Sequence, residues 1–172
     1  KVVATIRDEN ITRFISVPTQ SMDLMEAARR MGETLPSLFL INSGGAKRPA
    51  SQVEPLAKAF PHTRIGSAWG MTETNILGIL GSGPTYIARP DSTGRLIPPL
   101  QDVRFLDDEG NDVPPGEVGE LTLKSCCVMR GYLNKPAETA AVFQDGWLRT
   151  GDLARMDEEG FIYIVDRKKD TI

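Results

Sequence analysis

Several short segments of this sequence carry side chains suited to a charged, ring-bearing ligand. Trp69-Gly70-Met71-Thr72-Glu73-Thr74 places a flat aromatic face, a hydroxyl and a carboxylate close together at a strand end. Trp69 can lie against a planar ring, Thr72 can donate to a phosphate oxygen, and Glu73 offers a hard oxygen ligand to Mg²⁺. Ser43-Gly44-Gly45-Ala46 pairs glycines, which let a backbone approach a ligand closely. Gly146-Trp147-Leu148-Arg149-Thr150-Gly151-Asp152 ends on a carboxylate after a glycine turn, able to accept both hydroxyls of a ribose. Asp166-Arg167-Lys168-Lys169-Asp170 concentrates charge directly after a strand. Each segment also has a plain structural reading. The glycines make a tight turn, Trp69 sits in the core, Thr72 caps a helix and Glu73 occupies its first turn. Asp152 then begins a hairpin, and the charge run is solvated.

Other chemistries find little support. His62 is the only histidine and follows Phe60-Pro61 in a loop, so a Ser-His-Asp or Cys-His mechanism is disfavoured. Cys126 and Cys127 are adjacent, which suits neither a structural disulfide nor a zinc site, and they read as strand residues kept reduced. No G-x-x-x-x-G-K-[ST] loop occurs. The 20 Lys+Arg against 23 Asp+Glu give a net charge of -3, which provides no basic field for nucleic acid. No apolar run reaches the roughly 18 residues of a membrane span, and Lys1 to Arg7 lacks the apolar stretch of a secretory signal.

The elements that position these segments differ between the halves. The first half alternates helix and strand. Val2, Val3 and Ile6 share a helical face, Thr12 to Val17 is a strand stopped by Pro18, and Gln20 to Met31 is a helix ended by Gly32. Ser37 to Ile41 is a short buried strand, Ser51 to Phe60 a helix, and Arg64 to Ala68 another strand. This alternation predicts parallel pairing in an α/β layer. From Asp91 to Gly94 onward, Gly and Pro punctuate short strands: Val103 to Leu106, Glu120 to Lys124, Asp152 to Met156 and Phe161 to Val165. Asp107-Asp108-Glu109-Gly110 and Asp157-Glu158-Glu159-Gly160 are turn signals, and Pro136 to Phe143 is a helix with Pro at its start. The expected fold is α/β: a partial parallel sheet with flanking helices over 1–93, then a small antiparallel β-barrel subdomain over 94–166 and a tail over 167–172.

In order and spacing, the four segments together resemble the adenylate-forming superfamily of acyl-CoA synthetases, luciferase-like enzymes and peptide-synthetase adenylation domains. Pro115-Gly116-Glu117-Val118-Gly119-Glu120-Leu121 and Met129-Arg130-Gly131-Tyr132 are similar to that family too, so the resemblance covers essentially the whole chain. The segments from Trp147 to Asp152 and from Asp166 to Asp170 look most like acyl-CoA synthetases. The resemblance implies that Gly44, Gly45 and Ala46 line the adenine and acyl pocket. Trp69, where the family usually has Tyr, and Gly70 would lie at the adenine. Thr72 would contact the α-phosphate, Glu73 would bind Mg²⁺, Asp152 and Arg167 would hold the ribose, and Lys169 would be the hinge for a C-terminal domain. The strand from Phe14 to Thr19 would lie beside the acyl pocket.

The activity so implied is ATP-dependent activation of a carboxylic acid to an acyl-adenylate and pyrophosphate, then transfer to coenzyme A, in the cytoplasm. The family's Gly/Ser/Thr-rich phosphate loop, normally upstream, and its catalytic lysine, normally beyond the hinge, are missing from these 172 residues. The expectation is an inactive piece of a longer enzyme that tends to form a homodimer. The rivals are a domain that loads a carrier-protein thiol, a luciferase-like oxidation, and a non-catalytic nucleotide- or acyl-binding module.

Overall fold

Pro18 opens a helix rather than merely ending a strand. In the computed structural model, which describes residues 1–76, 78–97 and 100–168, helix α2 spans Pro18–Met31 with Val17 as its cap. Proline suits the first helical position because the amide it lacks would have no intrahelical partner there. The Val17 N–H is taken by the Gln20 side chain at 3.2 Å. Gly32 ends α2 at φ 67, the left-handed conformation in which glycine has no Cβ penalty.

The chain divides into two units, Lys1–Ala68 with Leu80–Gly94, and Trp69–Ile79 with the residues from Arg95 onward. The first unit begins with α1 (Val2–Asp8), β1 (Arg13–Ser16) and α2, followed by β2 (Leu40–Ser43), α3 (Val53–Ala59) and β3 (Arg64–Trp69). It continues with β4 (Ile79–Ser82) and α4 (Pro84–Ala88), although Trp69 of β3 and Ile79 of β4 are counted in the second unit. The sheet order is β1-β2-β3-β4. β1 to β2 and β2 to β3 are parallel, in the register Phe14↔Ile41 and Ile41↔Ile65. Leu24 and Ala28 of α2, Val53 and Leu56 of α3, and Tyr86 of α4 are buried with Ile41 and Ile65 in one apolar cluster. Each large side chain buried in this way contributes roughly 1.5–3 kcal/mol.

β2 lies further along the chain than the expected Ser37 to Ile41. Leu35 has φ 48, and the Leu38 N–H bonds to the Leu35 carbonyl at 3.0 Å, so a turn occupies the first part of that apolar run. Leu38 is buried at the end of this turn, a position that its apolar run alone reads as strand. β4 and α4 carry no signal in the sequence. A Cβ on Gly66 would come within 2.7 Å of the Gly81 carbonyl, so these glycines serve close backbone approach.

The second unit contains β5 (Gln101–Leu106), β6 (Gly119–Ser125), α5 (Pro136–Val142), β7 (Phe143–Gln144), β8 (Trp147–Met156) and β9 (Ile162–Arg167). The strand order is β5-β6-β8-β7, with β9 also on β8, and every pairing is antiparallel. Ile79, Leu121, Ala154 and Ile162 form its core, with Trp69 and Phe105 packed against them. Both acidic turns form: Asp107 Oδ1 accepts the Asn111 N–H at 2.8 Å, and Asp157 Oδ1 accepts the Phe161 N–H at 2.8 Å. α5 stops one residue short of the expected Phe143, which begins β7. The expected α/β layer followed by antiparallel strands is the observed architecture.

Asp152 does not begin a hairpin. It lies inside the ten-residue β8, just after Gly151 at φ 73. Glu120 pairs with Leu153 and Thr122 with Arg149, so β8 carries extra residues at this point and the ladder is interrupted. Such a bulge re-aims a side chain.

Candidate functional site

In the second unit, Trp69 ends β3 and its indole N–H donates to Asp152 Oδ2 at 2.6 Å. The other carboxylate oxygen, Oδ1, lies 3.3 Å from Arg167 Nε. Asp152 and Arg167 are register partners across β8 and β9. The Asp152 side chain is 10% exposed, and a carboxylate so buried needs partners of this kind. Gly78 has no room for a side chain against the Trp69 ring, since a Cβ there would come within 2.5 Å of Trp69 Cε3. Gly70 is equally closed, because its Cβ would meet the Ile76 carbonyl. The structure therefore joins three residues named from sequence, Trp69, Asp152 and Arg167. The indole's bond to the carboxylate, across 83 residues, had no sequence signal.

Thr72–Thr74 is a single 3₁₀ turn. Its brace is Thr74, whose hydroxyl accepts from the Met71 N–H and donates to the Met71 carbonyl, each at 3.1 Å. Thr72 is exposed and takes no part in that cap. Glu73 is held twice by a distant segment. Its Oε1 accepts the Tyr132 hydroxyl at 2.7 Å, and its backbone carbonyl accepts the Met129 N–H at 2.7 Å. That bond to the Glu73 carboxylate, with burial and the carboxylate's charge, raises the Tyr132 hydroxyl above its ordinary pKa of 10.0. Among the described residues no group of three or more His, Cys, Asp or Glu could hold a metal. A lone carboxylate still fits Mg²⁺, which keeps water and substrate oxygens and needs only one or two protein carboxylates.

Glu120, 4% exposed on β6, was not among the expected site residues. It accepts from Arg149, from Lys168 at 3.1 Å and from the Gly151 N–H at 3.3 Å. Burial alone would push the Glu120 carboxyl up, but the bonds from Arg149 and Lys168 outweigh it and hold the carboxyl below its ordinary range. Lys168 also lies 2.8 Å from Asp108, and its ammonium is raised by Asp108 first and Glu120 second. One carboxylate thus ties together three of the motif segments. Lys169 lies outside the described residues.

The glycine loop belongs to the first unit. Gly44 donates to the Ser16 carbonyl at 3.0 Å, Gly45 has φ 74, and Gly45 and Ala46 are exposed. Next to it Arg48 is 2% exposed. Its guanidinium donates to the Ser43 hydroxyl and lies 3.4 Å from Ser21 Oγ and 3.5 Å from the Gly66 carbonyl. Ser16, Ser21 and Ser43 continue this as a hydroxyl chain with steps of 2.9 and 3.0 Å. Burial lowers the Arg48 pKa, with Tyr86 acting in the opposite sense. An arginine inside an α/β layer has no periodic signature, so sequence reasoning passed over it. His62 is a loop residue whose Nε2 lies 3.1 Å from the Leu35 carbonyl, and Cys126 and Cys127 are free thiols.

Residues 1–133 match the model of the AMP-binding enzyme family. The chain belongs to that family. It is 38% identical over 99% of its length to the 4-coumarate–CoA ligase-like 6 protein of Arabidopsis thaliana, and covers 31% of that protein. It is 46% identical over 79% of its length to a long-chain-fatty-acid–CoA ligase of Yersinia pestis, covering 24% of it. Among solved structures, the o-succinylbenzoate coenzyme A synthetase of Bacillus subtilis, in complex with ATP and magnesium ion, matches 99% of this chain. That match has a TM-score of 0.86 and 31% identity, and takes in 34% of the synthetase. The chain thus spans about a third or less of the length of these relatives, a CoA ligase-like protein and a CoA ligase. No helix among the described residues is long and apolar enough to cross a membrane.

Proposed function

We propose that this chain is part of an acid–thiol ligase, which uses ATP to convert a carboxylic acid to an acyl-adenylate and pyrophosphate and then passes the acyl group to the thiol of coenzyme A. The observation that carries this reading is the buried Asp152 carboxylate between the Trp69 indole and Arg167. Such a group can exchange a protein donor for the two hydroxyls of a ribose, beside an aromatic face for the base. Gly70, where the Ile76 carbonyl leaves no room for a side chain, would hold the turn that follows Trp69 beside the adenine. Thr72, exposed one residue before Glu73, would donate to an α-phosphate oxygen. Glu73 would hold Mg²⁺, which supplies charge neutralisation at the phosphate oxygens as the carboxylate attacks. Gly44, Gly45 and Ala46 would line the adenine and acyl pocket, and Lys169 would serve as the hinge. The acid is proposed to be a fatty or other apolar one, and the compartment the cytoplasm, where ATP and coenzyme A are available.

The test is pyrophosphate release by the full-length protein. It is expected only when ATP, Mg²⁺ and a carboxylic acid are all present. Release independent of the acid would overturn the assignment. The 172-residue chain alone, with no Gly/Ser/Thr-rich phosphate loop in its sequence, is expected to form no acyl-adenylate.

A further inference from the structure

We propose that Tyr132 is a positioning residue, which through its hydroxyl bond to Glu73 Oε1 holds that carboxylate ready for a divalent cation. The inference rests on the reading of Glu73 as the Mg²⁺ ligand. The bond, at 2.7 Å, has the length of a charge-assisted O–H···O⁻ contact. It takes Oε1 and leaves Oε2 for the metal. A glutamate on a short 3₁₀ turn would otherwise have several rotamers to choose from. Partners that orient a ligating carboxylate are a general feature of metal sites.

Tyr132 is itself fixed from behind. Its N–H donates to Thr139 Oγ1 at 2.9 Å, and that hydroxyl donates onward to the Lys135 carbonyl at 2.8 Å. The Lys135 N–H returns to the Tyr132 carbonyl at 3.2 Å. Gly131, at φ 154, packs so closely on Thr139 that a Cβ would come within 2.8 Å of it. Met129 adds a main-chain bond to the Glu73 carbonyl at 2.7 Å. The segment from Met129 to Tyr132 is therefore a strap from α5 to both the backbone and the side chain of Glu73. α5 has no buried residue, so core packing does not account for its place, whereas anchoring this strap does.

The experiment uses the full-length protein with manganese(II) and ATP, without acid, and reads bound manganese by electron paramagnetic resonance. Tyr132→Phe keeps the ring and removes the hydroxyl. It is expected to weaken manganese binding about tenfold with little change in melting temperature. In turnover, the Mg²⁺ half-saturation is expected to rise more than kcat falls. Thr139→Val should weaken binding in the same direction and Thr139→Ser should restore it. In a Glu73→Gln background, Tyr132→Phe should cost nothing further. Wild-type manganese affinity in Tyr132→Phe, while Glu73→Gln binds weakly, overturns the positioning role and leaves the ligase reading standing. The same loss from Tyr132→Phe in both backgrounds also overturns it. Full affinity in Glu73→Gln overturns the positioning role together with the reading of Glu73 as the metal ligand.

Discussion

Trp69 and Asp152 lie 83 residues apart in sequence and share a 2.6 Å hydrogen bond in which the indole is the donor. The bond gives Trp69 a part beyond its proposed stacking on the base, because it orients the carboxylate proposed to receive the ribose. Trp69→Phe keeps an aromatic face and removes the donor, leaving a buried acceptor short of a partner at a cost of about 1–3 kcal/mol. The KM for ATP in the full-length protein is expected to rise by roughly tenfold, with a smaller effect on kcat. Steady-state kinetics at saturating acid checks this, and an unchanged KM assigns the bond a purely structural role.

Asp152→Ala removes both of its contacts and the proposed ribose acceptor. A ribose contact exists in ground and transition states alike, so KM for ATP should rise more than kcat falls. Isothermal titration with ATP is the check, and normal affinity would place Asp152 among ordinary strand residues.

Glu120 predicts an acid-sensitive unit. Its folded-state pKa lies below the ordinary 4.5, so the stability it provides is complete above about pH 4.5 and is lost as pH falls through the lower folded value. Lys168 is raised above 10.5, so its share is complete below about pH 10.5 and fades only in stronger base. Glu120→Gln should cost about 2–4 kcal/mol at pH 7, because Arg149 and Lys168 lose a buried countercharge. It should also flatten the acid limb. Urea midpoints measured from pH 3 to 7 provide the test, and parallel curves for wild type and variant refute it.

Arg48 is a charge buried among hydroxyls and a carbonyl. Arg48→Met leaves the Ser16–Ser21–Ser43 chain in place and removes the cost of desolvating a guanidinium, so a gain of about 1–2 kcal/mol is expected. Arg48→Lys keeps the charge, shortens its reach and should destabilise. Thermal unfolding of the pair decides, and a loss of stability in Arg48→Met would show that the guanidinium holds the glycine loop more firmly than burial opposes it.

Self-association is expected at the open end of the parallel sheet. β1 ends the strand order, and Ile15 on it is 74% exposed. An uncovered strand edge with an apolar side chain recruits another chain. The 172-residue chain should form a dimer at high micromolar concentration, and Ile15→Lys should return it to a monomer. Light scattering across a concentration series tests this, and a strictly monomeric wild type refutes it.

The layer order was legible because periodicity is a local property: Leu24 and Ala28 announce α2, and the acidic turn before Phe161 announces a hairpin. The motif residues were legible through their spacing and their likeness to a family. What connects them was not. Tyr132 stood in a recognised segment, yet its hydroxyl could not be matched with Glu73, 59 positions away, without the fold. Arg48 offered no pattern, because one cation inside an apolar layer is an exception that only packing reveals. β4, α4 and β7 have 4, 5 and 2 residues, too few for a period to show.

β8 is paired along one side by β6 and along the other by β7 and then β9. Opening it breaks more of the ladder than opening any of those neighbours, so its amides should be among the last in the second unit to exchange with deuterium. The bulge divides that protection. Leu148 and Ala154 sit in paired register on both sides, whereas the Gly151 amide is tied to a side chain, Glu120 Oε1 at 3.3 Å. The strand expected to open last thus has a soft joint beside Asp152, where the backbone is expected to yield while both flanks stay closed.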